Sequence, residues 1–292
     1  MEYYSPLRYP GGKNKMVTLF KKVIDANGMR NCVYVEPFAG GASVALSLLM
    51  DGYAERVIIN DADPSIYAFW FSCLNHTQRF CELLNDIEIS TAQWEIQKNI
   101  YRVQREAAMK GDDCDFFQLG FSTFYLNRAN RSGILKGGVI GGKEQSGKYL
   151  INARFNKTSL VQRIRQIGLL ANRIELHNED AKQFLLDNYN LWSVNTLVYC
   201  DPPYVKKGKG LYMNYFTKED HKTLANAIAG IDGLKWVITY DVDPLITEIY
   251  QFYRVKKIVL SYSAHTHTSK AEEFIIFSDL LTIPEDARII EV

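Results

Sequence analysis

Asp201-Pro202-Pro203-Tyr204 follows directly on the apolar run Leu197-Val198-Tyr199-Cys200. By average composition such a tetrapeptide arises by chance in about one chain in a thousand of this length. Two prolines lock the backbone and remove two N–H donors. A carboxylate, a carbonyl and an aromatic face are left pointing outward. Together they accept two hydrogen bonds from a planar amino group and stack on its ring, which makes a pocket for an extruded nucleobase. A plain rigid turn does not explain why the three come together. Two further stretches suit a small ligand. Glu36-Pro37-Phe38-Ala39-Gly40-Gly41 ends a short apolar run, and its glycines allow a tight turn and close backbone approach. Asp61 lies about 20 residues further on, the separation at which a strand-end acid suits ribose hydroxyls. Asp63 directly precedes Pro64 and is the better helix cap of the two.

These residues need strands that end beside one another. Runs at 33–36, 56–60, 173–177, 195–200, 235–240, 254–260 and 273–278 read as strands. Helical stretches at 42–50, about 158–172, 180–187, 218–229 and 243–250 fall between the earlier of them. The first strand, turn, helix and second strand form the unit of a doubly wound sheet. The alternation stops at 64–126, which reads as helices, and the glycine-rich stretch 127–157 reads as a long irregular loop.

Tyr9-Pro10-Gly11-Gly12-Lys13, Glu36-Pro37-Phe38-Ala39-Gly40, Asn60-Asp61, Tyr125-Leu126-Asn127-Arg128 and Asp201-Pro202-Pro203-Tyr204 occur in that order. The ordered set, spanning nearly the whole chain, resembles the Dam-type DNA adenine N6-methyltransferases. The resemblance implies an α/β, Rossmann-like S-adenosylmethionine-dependent fold. Its seven-stranded mixed sheet has a reversed last hairpin and carries a mainly helical target-recognition insertion. The catalytic domain would be 1–66 and 158–292, and the insertion 67–157. Tyr9 and Lys13 match the segment that caps the S-adenosylmethionine site, with Tyr where the family usually has Trp. Glu36, Phe38 and Gly40 match the motif around the methionine part, and Asp61 matches the acid that holds the ribose. Asp180 resembles the acid beside the cofactor's adenine, although a helix N-cap explains it equally well. Asp201, Pro202, Pro203 and Tyr204 match the catalytic motif, and Asp201 also borders the cofactor. Asn127, Arg128 and Arg131 match the segment that meets the target bases. Beyond it the loop departs from the better-known pattern, so GATC does not follow as the target.

The chemistry agrees with the residues. The exocyclic amine of adenine is a poor nucleophile because its lone pair is delocalised into the ring. Hydrogen bonds to the Asp201 carboxylate and the Pro202 carbonyl favour a more tetrahedral nitrogen and stabilise the charge that develops. Alignment with the methyl group supplies much of the rest. No metal is needed, and His265 and His267 lack a third ligand in view. Without a cysteine in a Pro-Cys context, carbon-5 cytosine methylation is excluded. Cytosine N4, RNA adenine and a silent DNA-binding module stay as alternatives. Tyr212, Tyr215 and Phe216 suit either a base-pocket wall or plain packing.

Charge is balanced overall, Lys+Arg 34 against Asp+Glu 33, so a nucleic acid must be met by a local patch. Between 128 and 157 seven basic residues face one acid, Glu144. Lys143 and Lys148 lie in that stretch, and Lys206, Lys207 and Lys209 follow the catalytic motif; both groups suit phosphates. Double-stranded DNA is the expected partner, with a cognate restriction endonuclease compatible with this reading. Five scattered cysteines form no CxxC pair and read as reduced thiols. With no signal peptide and no membrane-length apolar run, a cytoplasmic protein of a bacterium or phage-infected cell is expected.

Overall fold

The computed structural model describes residues 3–8, 13–206, 216–231, 233–264 and 267–292, with only the backbone for 261–264 and 267–270. Five parallel strands come first: β1 Cys32–Glu36, β2 Ala54–Asn60, β3 Ile174–His177, β4 Thr196–Cys200 and β5 Lys235–Asp241. β6 Arg254–Ala264 and β7 His267–Phe277 form a hairpin, and β7 inserts antiparallel between β5 and β6. The order is β3-β2-β1-β4-β5-β7-β6-β8. The Rossmann-like sheet and its reversed hairpin are therefore present, with one correction. The expected seven strands become eight, because Ile289–Ile290 (β8) pairs with β6 at the edge. Two residues are too short to leave a period in the sequence.

Strand alternation sorts the side chains. Tyr34, Leu197, Tyr199, Val237, Ile275 and Phe277 face one apolar layer, and Val35, Val198, Ile238, Phe274 and Ile276 face the other. The second layer is closed by α8 Ala181–Asn188, α9 Lys218–Ala229 and α10 Pro244–Ile249. The first is closed by α1 Val17–Ala26 and α2 Ser43–Met50, together with five further helices. These are α3 Pro64–Asn75, α4 Thr77–Asp86, α5 Thr91–Lys110, α6 Phe116–Ala129 and α7 Lys157–Leu169. Segment 67–157 thus shares one continuous core with the sheet. Phe69 and Phe124 stack with ring centroids 6.0 Å apart.

Local chemistry sets the helix starts. Asp63, Ser90, Asp115 and Asn156 each accept an N–H of the first turn of α3, α5, α6 and α7. Asp63 is the cap the sequence indicated, with Pro64 at the first helical position. Gly120 lets α6 press on α3, since a Cβ there would lie 2.1 Å from the Ala68 carbonyl oxygen. The irregular stretch is shorter than 127–157. α6 runs on through Ala129, and a bridge between Asn130 and Val139 pins the loop that follows.

Candidate active site

The carboxyl ends of β1, β2, β4, β5 and β7's amino half bring polar residues to one edge of the sheet. Alternation turns Glu36, Asp201, Thr239, Asp241 and Glu273 toward the helix-rich first layer. Glu36 and Asp201 border a cavity of about 900 Å³ that runs on to the last turn of α6.

At the Asp201 end, hydrogen bonds run from side chain to side chain. Asp201 Oδ1 accepts from the Thr239 hydroxyl at 2.8 Å and lies 3.3 Å from Lys13 Nζ. Thr239 is itself 2.8 Å from the Tyr199 hydroxyl. Among the described residues, Asp201 Oδ2 receives no hydrogen bond. Lys13 Nζ lies 2.8 Å from Glu273 Oε2 and donates to the Tyr204 hydroxyl, which donates to Glu273 Oε2 at 2.8 Å. Burial, opposed by Lys13 and reinforced by Glu273, pushes the Asp201 carboxyl above its ordinary range. Burial works against the Lys13 charge, but attraction from Asp201 and Glu273 outweighs it and raises the group. Pro202, Pro203 and Tyr204 are buried. Lys13, expected to cap the cofactor, lines the cavity and lies against Asp201 and Tyr204.

Two residues here are absent from the sequence motifs. Glu273 is buried on β7 inside the apolar pattern Glu273-Phe274-Ile275-Ile276. Asp241 ends β5 and accepts from the Val205 and Lys206 N–H groups at 2.9 and 2.8 Å, clamping the chain just after Tyr204. The available signal was parity: both acids fall on the face that otherwise carries Val237, Ile275 and Phe277.

The other half of this end suits a nucleoside with an amino-acid tail. Gly40 has φ +46° and Ala42 φ +45°, so the turn after β1 is tight. Gly40 N–H donates to Asp61 Oδ2 at 2.8 Å, and its carbonyl accepts from Trp70 Nε1 at 2.9 Å. Asp61 Oδ1 accepts from the Asp63 N–H at 2.9 Å, leaving lone pairs on both oxygens. Burial and the neighbouring Asp63 push Asp61 up to about 7. Glu36 accepts from the Ala45 N–H at 3.0 Å, serving the start of α2 where Ala42 offers no side-chain cap. Burial, with a further push from Asp201, takes Glu36 to about 8. Phe38 meets Phe216 edge-on at 6.0 Å, and both border the cavity. Asp180 lines the cavity and is also the cap of α8, accepting from Lys182 and Gln183 N–H groups. Tyr9 lies outside the described residues, as do Lys207, Lys209, Tyr212, Tyr215 and His265; so does the side chain of His267.

The far end is basic. Arg8, Arg128 and Arg163 line the cavity, and Arg154 is adjacent. Backbone carbonyls hold three of them: Arg8 donates to the Asn130 carbonyl at 3.0 Å, Arg128 to Arg154 at 2.8 Å and Arg163 to Ser5 at 3.2 Å. Burial and the other arginines push Arg128 downward. Arg131, Lys143 and Lys148 are exposed on the following loop, with Lys143 paired to Glu95 at 2.8 Å.

Three polar residues of the basic stretches, Asn127, Lys157 and Lys206, are engaged within the fold. Asn127 is buried, and its amide accepts from the Arg8 N–H and donates to the Arg8 and Gly133 carbonyls. With both its donors engaged inside the fold, it holds residue 8 against α6. Lys157 donates to the Asn85 and Ile87 carbonyls, tying α7 to the end of α4. Lys206 turns to the Val242 carbonyl and Asp243. Side-chain direction is what basic composition cannot report.

A family model described as D12 class N6 adenine-specific DNA methyltransferase matches residues 9–264. The Type II methyltransferase M.MjaIII of Methanocaldococcus jannaschii is 24% identical over 277 residues, covering 89% of this chain and 92% of that protein. Two solved structures also align. A candidate RNA methyltransferase of Pyrococcus horikoshii has 10% identity and a TM-score of 0.42, over 93% of this chain and 85% of that one. An S-adenosylmethionine-dependent methyltransferase of Agrobacterium tumefaciens has 10% identity and a TM-score of 0.42, over 91% and 62%.

Proposed function

Because the chain belongs to the D12 class of N6 adenine-specific DNA methyltransferases, and so methylates adenine N6 in DNA with S-adenosylmethionine, we propose that Asp201 is the acceptor that activates the amine of an adenine flipped out of duplex DNA. The observation that carries this reading is that Asp201 lines the cavity with Oδ1 fixed by Thr239 and Lys13, while Oδ2 receives no hydrogen bond among the described residues. One amine N–H donates to that oxygen and the other to the Pro202 carbonyl, which pyramidalises the nitrogen and aims its lone pair. The buried carboxylate then stabilises the positive charge that grows on N6. Tyr204 is tied by its hydroxyl, so its ring is held in one orientation to stack on the base.

The residues present fit S-adenosylmethionine. The Asp61 oxygens keep lone pairs for two ribose hydroxyls, and Phe38 and Phe216 offer apolar faces to a ring. Glu36 supplies charge for an amino group, and Asp180 an acceptor at the adenine side. Bound there, the cofactor supplies an electrophilic methyl group on a cationic sulfur. Lys13 and Tyr204 keep water away from the Asp201 carboxylate by filling the space on its far side.

Segment 67–157 is proposed as the target-recognition unit. Arg8, Arg128, Arg154 and Arg163 would meet backbone phosphates, with Arg131, Lys143 and Lys148 at the rim. The likeness to a Type II methyltransferase supports a cognate restriction endonuclease, which this methylation would block. No helix among the described residues is long and apolar enough to cross a membrane, and chromosomal DNA as substrate supports a cytoplasmic location.

The test is incubation with S-adenosylmethionine and mixed-sequence duplex, single-stranded DNA and RNA, followed by nucleoside mass spectrometry. N6-methyladenine formed fastest in the duplex is expected. Preference for single strands or RNA would overturn the flipped-duplex reading.

A further inference from the structure

Glu273 stands on β7, outside every motif, with 2% of its surface exposed. We propose that Glu273 is a positioning residue for methyl transfer: it holds Lys13 and the Tyr204 hydroxyl so that Asp201 keeps one carboxylate oxygen open to the adenine amine. The inference rests on the reading of Asp201 given above.

The geometry is a division of one ammonium among three acceptors. Lys13 Nζ has three N–H donors and meets Glu273 Oε2, Asp201 Oδ1 and the Tyr204 oxygen. The contact with Glu273 is 2.8 Å and that with Asp201 is 3.3 Å. The ammonium is therefore drawn to the β7 side. Tyr204 donates to the same Glu273 oxygen. Without the Glu273 charge, Asp201 is the one carboxylate left within ion-pair distance of Lys13 among the described residues. A compact ammonium on a flexible stem then closes onto Asp201. A buried one-to-one pair neutralises the acceptor that the amine needs.

The position of Glu273 is costly for the fold. Its register partner across β5–β7 is Asp241, also buried. Like charges directly opposite in a sheet repel. An apolar residue would serve the sheet better. Both acids instead direct their oxygens to the catalytic segment, Asp241 to the N–H groups of residues 205 and 206, Glu273 to Tyr204 and Lys13. They grip that segment at two adjacent points.

The pH behaviour follows from the groups that face Asp201. Lys13 comes from the N-terminal segment, Glu273 from β7, Glu36 from β1, and the Tyr199, Thr239 and Tyr204 hydroxyls from β4, β5 and the catalytic motif. Glu273 raises the Asp201 carboxyl and Lys13 lowers it. Neutralising Glu273 removes the first influence and strengthens the second, so Asp201 ionises at lower pH.

The experiment is steady-state methylation by the full chain carrying Glu273→Gln, from acid to alkaline pH, beside S-adenosylmethionine affinity by calorimetry and a thermal melt. The expected loss in plateau kcat is roughly ten- to a hundredfold, the scale of a misplaced reacting group. KM for DNA and cofactor affinity should stay within about threefold, a margin under 1 kcal/mol. The acid limb of kcat should move to lower pH. Glu273→Asp keeps the charge, so its limb should stay in place while kcat falls less than in Glu273→Gln. Wild-type kcat in Glu273→Gln overturns the proposal, and so does a fall with an unmoved limb. If Glu273→Gln does not fold, Glu273→Asp decides: a displaced limb, or an unchanged kcat, overturns it. Asp201→Ala is assayed in parallel. If that variant is active, the reading of Asp201 itself fails; if it is inactive while Glu273→Gln is unimpaired, only the present inference fails.

Discussion

One cavity joins two ends with opposite charge imbalances. At the Asp201 end a single ammonium among the described residues, Lys13, faces Asp201 and Glu273, with Glu36 close by. At the α6–α7 end Arg8, Arg128, Arg154 and Arg163 gather, and none of them pairs with a carboxylate among the described residues. The means of support differ as well. Asp201 and Glu273 are bonded to other side chains, which share their charge, whereas three of the arginines are held by carbonyls that orient them and leave the charge uncompensated. Under the proposed function each end would be met by a ligand of the opposite sign: a cationic methyl donor and a developing cation on N6 at one, phosphates at the other.

The comparison breaks most visibly at Asp201. Asp201→Ala should cut kcat by at least about a thousandfold, beyond the loss of one oxyanion donor, while calorimetry still finds cofactor bound within a few-fold. Strong turnover in that variant would falsify the acid-end assignment. Next comes the basic end. Arg128→Gln with Arg163→Gln should weaken duplex binding about tenfold or more at moderate salt and lower the slope of log K against log salt by about two. An unchanged slope would make these arginines braces for residues 5–8 and nothing else. Cofactor binding sharpens the contrast at a smaller scale. Asp61 and Glu36 ionise near 7 and 8, so affinity for cationic S-adenosylmethionine should rise several-fold between pH 6 and 9. Asp61→Asn with Glu36→Gln should flatten that rise; a persisting rise would place the titration elsewhere. The smallest effect is expected at Lys143, whose pairing with Glu95 leaves little charge to offer. Lys143→Gln should lower the salt slope by about half a unit, and an unchanged slope would place that loop off the DNA.

The fold was legible where several residues agreed. Strand runs and the turns after β1, β2 and β4 could be read because apolar runs, glycines and prolines reinforced one another. Asp63 was identified as a cap because Pro64 followed it. β8 was not legible, since two residues carry no period. At the site, Asp61 and Asp201 stood at strand ends next to distinctive neighbours. Glu273 and Asp241 did not, because their meaning comes from strand pairing across 32 positions and from Lys13 far away. The bonds of Asn127 could not be read ahead, because the same amide that suits a base edge suits two backbone carbonyls equally well. Only the path of residue 8 decides between them.

Lys13 and Glu273 are separated by 260 positions. β7, which carries Glu273, is made after β6 yet lies inside it in the sheet. A growing chain therefore has Glu36, Asp61 and the Asp201 motif in hand well before the hairpin can thread between β5 and the edge. Until it does, Lys13 lacks its second acid and the Tyr204 hydroxyl lacks the acceptor it donates to. Completion of the sheet and closure of the Lys13–Glu273–Tyr204 contacts are therefore one event.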